Sequence, residues 1–524
     1  MPVDAGRGRP DVLVVGAGGS GAVLAARLSE DTGCRVLLLE AGPVPRTEAE
    51  FPADLLDARL VPGAQPGHPA VRTFPVRLTP GTPHAVPRGR FLGGSTTVNG
   101  GYFIRARRED LDRWASAAGD ALWSYERTLP LMRALENDLD HGSTPLHGGR
   151  GPMPVRRTAL DHPAAAAFAA AARELGRPDE PDKNAQDPPG FGPVPSNAVG
   201  GRRVNTGIAY LLGALGRPNL TVAGGCAVRS LVVRRGRATG VVVERDGRRT
   251  VVEAGETVLC AGALATPHLL HLSGVGPARD LRRAGIPVAH DLPAVGAALS
   301  DHPQVAVEWT PTLPLDGPTG GRGVRTWLGG VLHQPSSGDG TGDLEILQSL
   351  VPMTGLVTGR TAVPGAPLTF LVSVQTPRRG GGVRTVSPDP DTPPRVDYRY
   401  LESEADRRSM REAVRAAAAL LGTDAFAQVA HGPVDLPPRT LEDDGLLDAW
   451  IAARLGTSQH TCGTVPMGPS ADTAAVDAQG RVHGLTGLRV ADTSILPTAP
   501  TRGPAATAVL IGEVVARAMR RSGG

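Results

Sequence analysis

The sequence predicts an α/β fold: a parallel, doubly wound sheet interleaved with an α+β part that contains an antiparallel sheet. Three observations predict it. A short, nearly unbroken β-branched and leucine run, DVLVVG from Asp11, passes through a glycine turn into a helical pattern and then a second apolar run. Such runs suit strands covered on both faces. From about Pro303 to Leu401, strand-like patches alternate with Gly/Pro turns, as in a second sheet. After a helical stretch from Glu402 to Leu421, the end of the chain returns to motif-dense sequence.

Composition sets the bounds. A chain of 524 residues exceeds what one compact core usually holds, so one large or two interlocked domains are expected. With 40% hydrophobic and 20% charged residues, disorder, collagen and coiled coil are excluded. The 55 basic residues nearly balance 52 acidic ones, and a net charge of +3 makes no case for nucleic acid. Four cysteines lie scattered without a CxxC pair, and the opening MPVDAGRGRP has no charged-then-apolar leader. A cytoplasmic, disulfide-free enzyme is the expectation. No apolar run is long enough to span a membrane, which leaves only peripheral contact with its inner face.

Taken in order, residues Ala22 to Ser29 carry the first helical pattern, and Arg35 to Leu39 form the second strand, ending at Glu40. Pro43 to Gly89 lacks sustained periodicity and reads as a long loop or lid over a ligand. Helices resume at Glu109 to Trp114 and Tyr125 to Glu136, and Asp179 to Gly201 reads as irregular connecting chain. Leu220 to Val222, Val228 to Val233 and Thr239 to Val243 alternate as in a strand meander. Glu256 to Cys260 is a further buried strand, with a helix over Pro267 to Leu272. No repeat of fixed period occurs.

The glycine turn is Gly16-Ala17-Gly18-Gly19-Ser20-Gly21, a GxGxxG set between a buried strand and a helix. The first glycine makes the tight turn, the second lets backbone approach a pyrophosphate, and the third lets helix pack on strand. Free N–H groups and the positive end of the helix then meet the anion. Glu40 lies 19 residues beyond Gly21, where a carboxylate accepts ribose hydroxyls and disfavours a 2′-phosphate. The arrangement specifies an adenine dinucleotide without saying which. A second cluster, Arg88-Gly89-Arg90-Phe91-Leu92-Gly93-Gly94-Ser95-Thr96-Thr97-Val98-Asn99-Gly100, joins close-approach glycines to arginine for phosphate and Asn for a polar ring edge.

That cluster resembles the GRxLGGSS-x-x-N signature of the glucose–methanol–choline (GMC) flavoprotein oxidoreductases. Gly262-Ala263-Leu264-Ala265-Thr266-Pro267-His268-Leu269-Leu270-His271-Leu272-Ser273-Gly274-Val275-Gly276 is similar to the family's second signature. Asp301-His302-Pro303, Pro388-Asp389-Pro390 and Arg489-Val490-Ala491-Asp492 resemble further landmarks, so the resemblance covers nearly the whole chain. It implies FAD as cofactor. Gly16, Gly18, Gly19, Ser20, Gly21 and Glu40 would hold the ADP half, with Arg90 for phosphate and Val228 meeting adenine through backbone. Gly93, Asn99 and Gly100 would line the isoalloxazine, and Asp492 the pyrophosphate and ribityl region. Where covalent members place a His, this chain has Val98, which implies non-covalent FAD. The implied architecture is a Rossmann-like FAD-binding domain from residues 1–155, 201–303 and 456–524, a connecting segment 156–200, and a substrate domain from 304–455.

His460-Thr461-Cys462-Gly463-Thr464-Val465-Pro466-Met467-Gly468 resembles the family's HxxGTCxMG, whose histidine is the catalytic acid/base. A neutral imidazole suits removal of an alcohol proton as hydride leaves carbon. Of the other histidines, His302, His268, His271 and His483 are read as structural, and no metal is expected. The family's second catalytic His or Asn is replaced by Gly503, between Arg502 and Pro504. Arg502 or a substrate-domain residue is then the expected partner of substrate oxygen. Gly503-Pro504 reads as an N-cap and first helical position for an alanine-rich helix to Arg517, whose dipole would face the flavin.

Arg502-Gly503-Pro504 resembles the family branch associated with mycofactocin. The leading expectation is therefore a dehydrogenase that takes electrons from an alcohol, or from reduced mycofactocin, and passes them to an unidentified acceptor toward respiration. A choline or other alcohol dehydrogenase, or an oxygen-using alcohol oxidase of the same family, is the alternative. A cyanohydrin-cleaving lyase and an inactive flavin binder stand as readings of another class.

Overall fold

The computed structural model describes residues 8–312, 325–337, 341–359 and 365–522. At its centre lies a five-stranded parallel sheet in the order Leu220–Ala223, Val36–Leu39, Val12–Val15, Glu256–Leu259 and Leu488–Val490. Val12–Val15 and Val36–Leu39 are buried along their whole length, as strands covered by helices on both faces must be. The helices Gly21–Leu28 and Ala505–Ser522 pack on each other close to the sheet, where Ser20 Oγ donates to the Ala508 carbonyl at 2.6 Å.

The order reverses at Val12–Val15. One crossover runs outward to Val36–Leu39, while Glu256–Leu259 and Leu488–Val490 are added on the other side. The carboxyl end of the sheet beside Val15 and Leu259 is therefore a topological switch point, whose crevice is the position where doubly wound sheets bind ligands. The antiparallel meander Ala227–Arg234, Arg237–Arg245 and Arg248–Glu253 sits between two of these strands in sequence.

A second, seven-stranded sheet is antiparallel throughout. Its order is Ala430–Pro433, Pro303–Pro311, Leu368–Val374, Leu344–Ser349, Leu328–Gln334 and Phe191–Pro193, with Gly456–Thr457 also pairing with Pro303–Pro311. Period-two alternation decides its faces. Leu344, Ile346, Phe370 and Val372 share a core with Met410, Val414 and Ala417 of the helix Glu404–Leu421. The opposite face carries Glu345 and Ser373, whose side chains approach each other at 3.5 Å.

Leu220–Val222, expected in the meander, instead lies at the edge of the parallel sheet beside Val36–Leu39, and two further stretches depart from the sequence expectation. The 43–89 stretch, expected as a loop or lid, contains the hairpin Val71–Thr79 and Thr82–Gly89. Pro75, Pro83 and Pro87 mask its period, and a proline on an edge strand such as Thr82–Gly89 sacrifices no ladder bond. Asp179 to Gly201, expected to be irregular, supplies the short edge strand Phe191–Pro193. The last helix starts at Ala505, and Pro504 offers the carbonyl that accepts from Ala508 N–H at 2.8 Å, one position off the expected cap.

Candidate active site

The glycine turn obeys the geometry its spacing implies. Gly16 has φ +101°, and a Cβ there would lie 2.5 Å from the Cys260 carbonyl oxygen. A Cβ at Gly21 would lie 2.0 Å from the Gly16 carbonyl oxygen, so only glycine lets the helix start this close. The second cluster docks directly on the first: Gly93 N–H donates to the Ala17 carbonyl at 2.8 Å. Thr96 Oγ1 and Thr206 Oγ1 are 3.1 Å apart, and Thr206 Oγ1 reaches the Gly18 carbonyl at 3.4 Å. A Cβ at Gly94 would come 2.6 Å from Gly18 Cα. Two glycine loops far apart in sequence thus touch backbone to backbone beside the crevice. Gly19 is wedged between Ala508 and Thr96.

Glu40 is buried at the end of its strand and accepts from Ala17 N–H at 2.9 Å and from Gly42 N–H at 2.8 Å. Burial pushes its carboxyl above the usual range, opposed by those two N–H groups and by Arg90. One donor on each oxygen leaves the carboxylate with acceptor capacity for ribose hydroxyls. Arg90 is exposed, and Val228 is half-buried on the strand that follows Cys226, whose N–H donates to the Glu40 carbonyl at 2.8 Å.

Asp492, one turn beyond Val490, binds the second signature to the sheet. Its Oδ2 accepts from Gly262 N–H at 2.9 Å and from Thr266 Oγ1 at 2.6 Å, and its Oδ1 from Ser494 N–H at 2.9 Å. The same segment is stitched to the histidine motif: Gly463 N–H donates to the Thr493 carbonyl and Val465 N–H to the Ser494 carbonyl. Asp492 and His460 are therefore held in one loop framework.

His460 is half-buried, and its Nδ1 lies 2.8 Å from Nδ1 of His302, the rings meeting edge to face at 84°. Asp301 fixes the backbone around both. Its Oδ1 accepts from His460 N–H at 2.8 Å and His302 N–H at 2.7 Å, and its Oδ2 from Thr461 Oγ1 at 2.7 Å. Thr461 Oγ1 also accepts from Arg88 Nη2 at 2.8 Å, which ties the hairpin to the histidine motif. Burial drives the His460 pKa well below the usual range, with His302 and Arg88 adding to it. The imidazole is neutral at working pH.

The remaining edge of His460 faces Gly503. A Cβ at Gly503 would stand 3.5 Å from Cε1 and 3.6 Å from Nε2 of His460. Arg502 is fully buried, donates through Nη1 to the carbonyls of Gly342 at 3.0 Å and Thr501 at 2.6 Å, and leaves Nε and Nη2 without a hydrogen-bond partner. Asn99 Oδ1 accepts from Gly101 N–H at 3.0 Å. The Gly100 carbonyl accepts from Trp327 Nε1 at 2.9 Å, and a Cβ at Gly100 would strike Trp327 at 2.5 Å. Tyr102 Oη donates to Glu345 Oε2 at 3.4 Å, so the polar face of the antiparallel sheet meets the 99–102 segment.

Sequence reasoning missed Trp327, Tyr102 and Glu345, and it underrated Asp301. The motif holding Asp301 and His302 was visible, but nothing local indicates that its aspartate receives the backbone of residues 460 and 461. Glu136, Asp138 and His147, the grouping among the described residues closest in type to a metal site, form an ion network instead. Burial opposes a charged His147, yet Asp138, Asp182 and Glu136 hold its proton up to about 10. Both ring nitrogens are committed to carboxylates, which leaves no lone pair for a metal.

A cradle of touching glycine loops with no room for a Cβ at Gly16, Gly21, Gly93 or Gly94, an acid at the second strand end, and a buried Asn205 Nδ2 without a partner beside Gly93 fit a dinucleotide of the FAD type. Comparisons with known proteins agree. GMC oxidoreductase family models match residues 10–304 and 377–512. A GMC-type oxidoreductase of Rhodococcus erythropolis is 42% identical over 506 residues, covering 96% of this chain and 97% of that protein. An oxygen-dependent choline dehydrogenase of Klebsiella pneumoniae is 34% identical, covering 97% and 96%. The crystal structure of pyridoxine 4-oxidase from Mesorbium loti superposes with a TM-score of 0.89 at 30% identity, covering 98% and 99%. With the fold, the motifs and these relatives in agreement from end to end, the chain belongs to the GMC oxidoreductase family and is an oxidoreductase of CH–OH donors.

Proposed function

We propose that this enzyme binds FAD non-covalently and oxidises an alcohol with His460 as general base. The observation that carries the reading is the placement of His460: one ring edge is held by His302 and the other is open toward Gly503. When bound, FAD supplies the acceptor for the hydride. His460 Nε2 takes the hydroxyl proton, and burial keeps the ring neutral and ready to receive it. The start of the helix Ala505–Ser522 follows Gly503 by two residues, so its positive end would favour negative charge developing there. Gly503 leaves room for substrate, and the free N–H groups of Arg502 offer the second contact for its oxygen. Val98 carries no nucleophile, which supports a dissociable cofactor.

Residues 1–155, 201–303 and 456–524 would form the FAD-binding part, with 304–455 above it as the substrate part and 156–200 connecting them. Gly16, Gly18, Gly19, Gly21 and Glu40 would receive the ADP half, with Arg90 beside it, and Gly93, Asn99 and Gly100 the ring. The Ser20 hydroxyl is spent on Ala508, so its backbone N–H is the group left to contribute. We place the enzyme in the cytoplasm as a dehydrogenase; among the described residues no helix is long and apolar enough to cross a membrane. The donor we favour is reduced mycofactocin, on the strength of Arg502-Gly503-Pro504. The names of the relatives, choline dehydrogenase and pyridoxine 4-oxidase, favour a small polar alcohol as the second reading, and the polar sheet face at Glu345 suits it. Anaerobic bleaching of the visible flavin band by a panel containing reduced mycofactocin, choline and pyridoxine tests both. Recovery of colour on admitting air would replace dehydrogenase by oxidase, and no bleaching by any alcohol would remove the redox reading.

Two further outcomes are expected. Because the His460 pKa in the folded enzyme lies well below 6.5, the base is already deprotonated at neutral pH. The rate of flavin reduction should therefore be flat above pH 6.5 and decline only in more acidic buffer, measured by stopped flow across pH. A limb rising through neutrality would contradict it. Glu40→Ala should weaken FAD binding by about 10- to 100-fold, the value of a hydrogen bond to a charged group at about 1.5–3 kcal/mol. Titration of apoprotein with FAD measures it, and an unchanged affinity would remove Glu40 from the ribose site.

A further inference from the structure

The pair His302 and His460 contains more than a packing contact. An N···N separation of 2.8 Å between the two Nδ1 atoms is a hydrogen bond, so one nitrogen carries the proton and the other a lone pair. Which is which follows from the far side of His302. That ring is fully buried, and its Nε2 makes no hydrogen bond of good geometry. The backbone carbonyls of Pro500 and Gln375 also act on this ring, and with Nδ1 turned to His460 the nitrogen left to them is Nε2. Carbonyls only accept. They favour a proton on His302 Nε2, which leaves Nδ1 as the acceptor and makes His460 Nδ1–H the donor.

We propose that His302 is a positioning residue for the reaction: by accepting the Nδ1–H of His460 it fixes the tautomer in which His460 Nε2 holds a bare lone pair toward Gly503. The opposite tautomer would place a proton on Nε2, where a base must have none. The inference rests on His460 being the base, and it assigns to His302 a task that the sequence reading, which took it as structural, did not.

The charged and titratable groups around the pair are consistent with this arrangement. Asp301 is occupied by backbone N–H groups and Thr461 rather than by either ring. Arg88 from the hairpin and Arg502 from the last loop both disfavour a second positive charge here. Burial first, then Arg502, holds the His302 pKa down at about 3, so its lone pair stays available across the working range.

The test uses FAD-loaded enzyme with ¹⁵N-labelled histidine rings, the His460 signals being identified by their loss in His460→Ala. Nitrogen shifts at neutral pH should show His460 protonated at Nδ1 and bare at Nε2. A proton on Nε2 would overturn the proposal without reference to any rate. His302→Leu should mix the two tautomers and lower the limiting rate of flavin reduction by about 10- to 100-fold with little change in KM, in line with losses on misorienting a catalytic histidine. His302→Asn, whose Oδ1 can accept in place of Nδ1, should recover most of that rate. A leucine variant that keeps the native tautomer and rate would also overturn it. If His460→Ala instead keeps full activity, the base assignment fails, while the ring shifts still report whether His302 sets the tautomer.

Discussion

His460→Ala is expected to slow flavin reduction by the alcohol about 10²- to 10⁴-fold, roughly 3–5 kcal/mol of barrier, while the protein keeps its FAD. The loss is expected to be large because, in the proposed role, the ring meets the substrate hydroxyl and the titratable groups against it among the described residues offer no substitute base. His302 is turned with Nδ1 to His460, and Arg88 and Arg502 are cations without a free lone pair. FAD should remain because the backbone of residue 460, not its ring, is what the fold uses: His460 N–H donates to Asp301 whatever the side chain. Rapid mixing with donor under anaerobic conditions measures the rate, and the visible spectrum of the resting variant measures the cofactor. Full activity would end the base assignment. A colourless variant would show instead that the ring supports the cofactor site.

Much of this architecture was legible because local sequence and long-range structure agree. The run from Val12 to Val15, the glycines at 16 and 21, and Glu40 each state a backbone requirement that the fold then meets. The helix over Glu404–Leu421 and two strands of the meander, Ala227–Arg234 and Arg237–Arg245, were visible through their periods; Leu220–Ala223, read together with them, instead pairs in the parallel sheet, and Arg248–Glu253 was not read. What escaped were features whose cause lies elsewhere in the chain. The proline-containing strands Val71–Thr79 and Thr82–Gly89, the second of them at a sheet edge, carry little β pattern, and pairing alone makes them strands. Trp327 binds the carbonyl of Gly100 across 227 positions, and no motif around either residue announces it. Gly503 looked like a missing catalytic group; the structure shows that its lack of a side chain leaves the open edge of His460 uncovered.

The second large effect should come from Gly94→Val. Gly94 has φ +53°, and its added Cβ would lie 2.6 Å from Gly18 Cα, a contact between two main chains with no flexible side chain to yield. The substitution therefore pushes the 93–98 turn away from the GxGxxG turn. It breaks the apposition held by Gly93 N–H on Ala17 and by the Thr96–Thr206 contact. Strain from the left-handed backbone alone costs about 1–3 kcal/mol, so a control must separate strain from displacement. Gly67 supplies it: φ is +74°, yet a Cβ there meets nothing within 4 Å. Gly67→Ala should lose a little thermal stability and remain yellow. Gly94→Val should purify with little or no FAD and resist reconstitution, as read by the ratio of flavin to protein absorbance. If both variants hold FAD equally tightly, the touching glycine loops do not form the cofactor cradle, and the nucleotide half must lie along Glu40 and the meander instead.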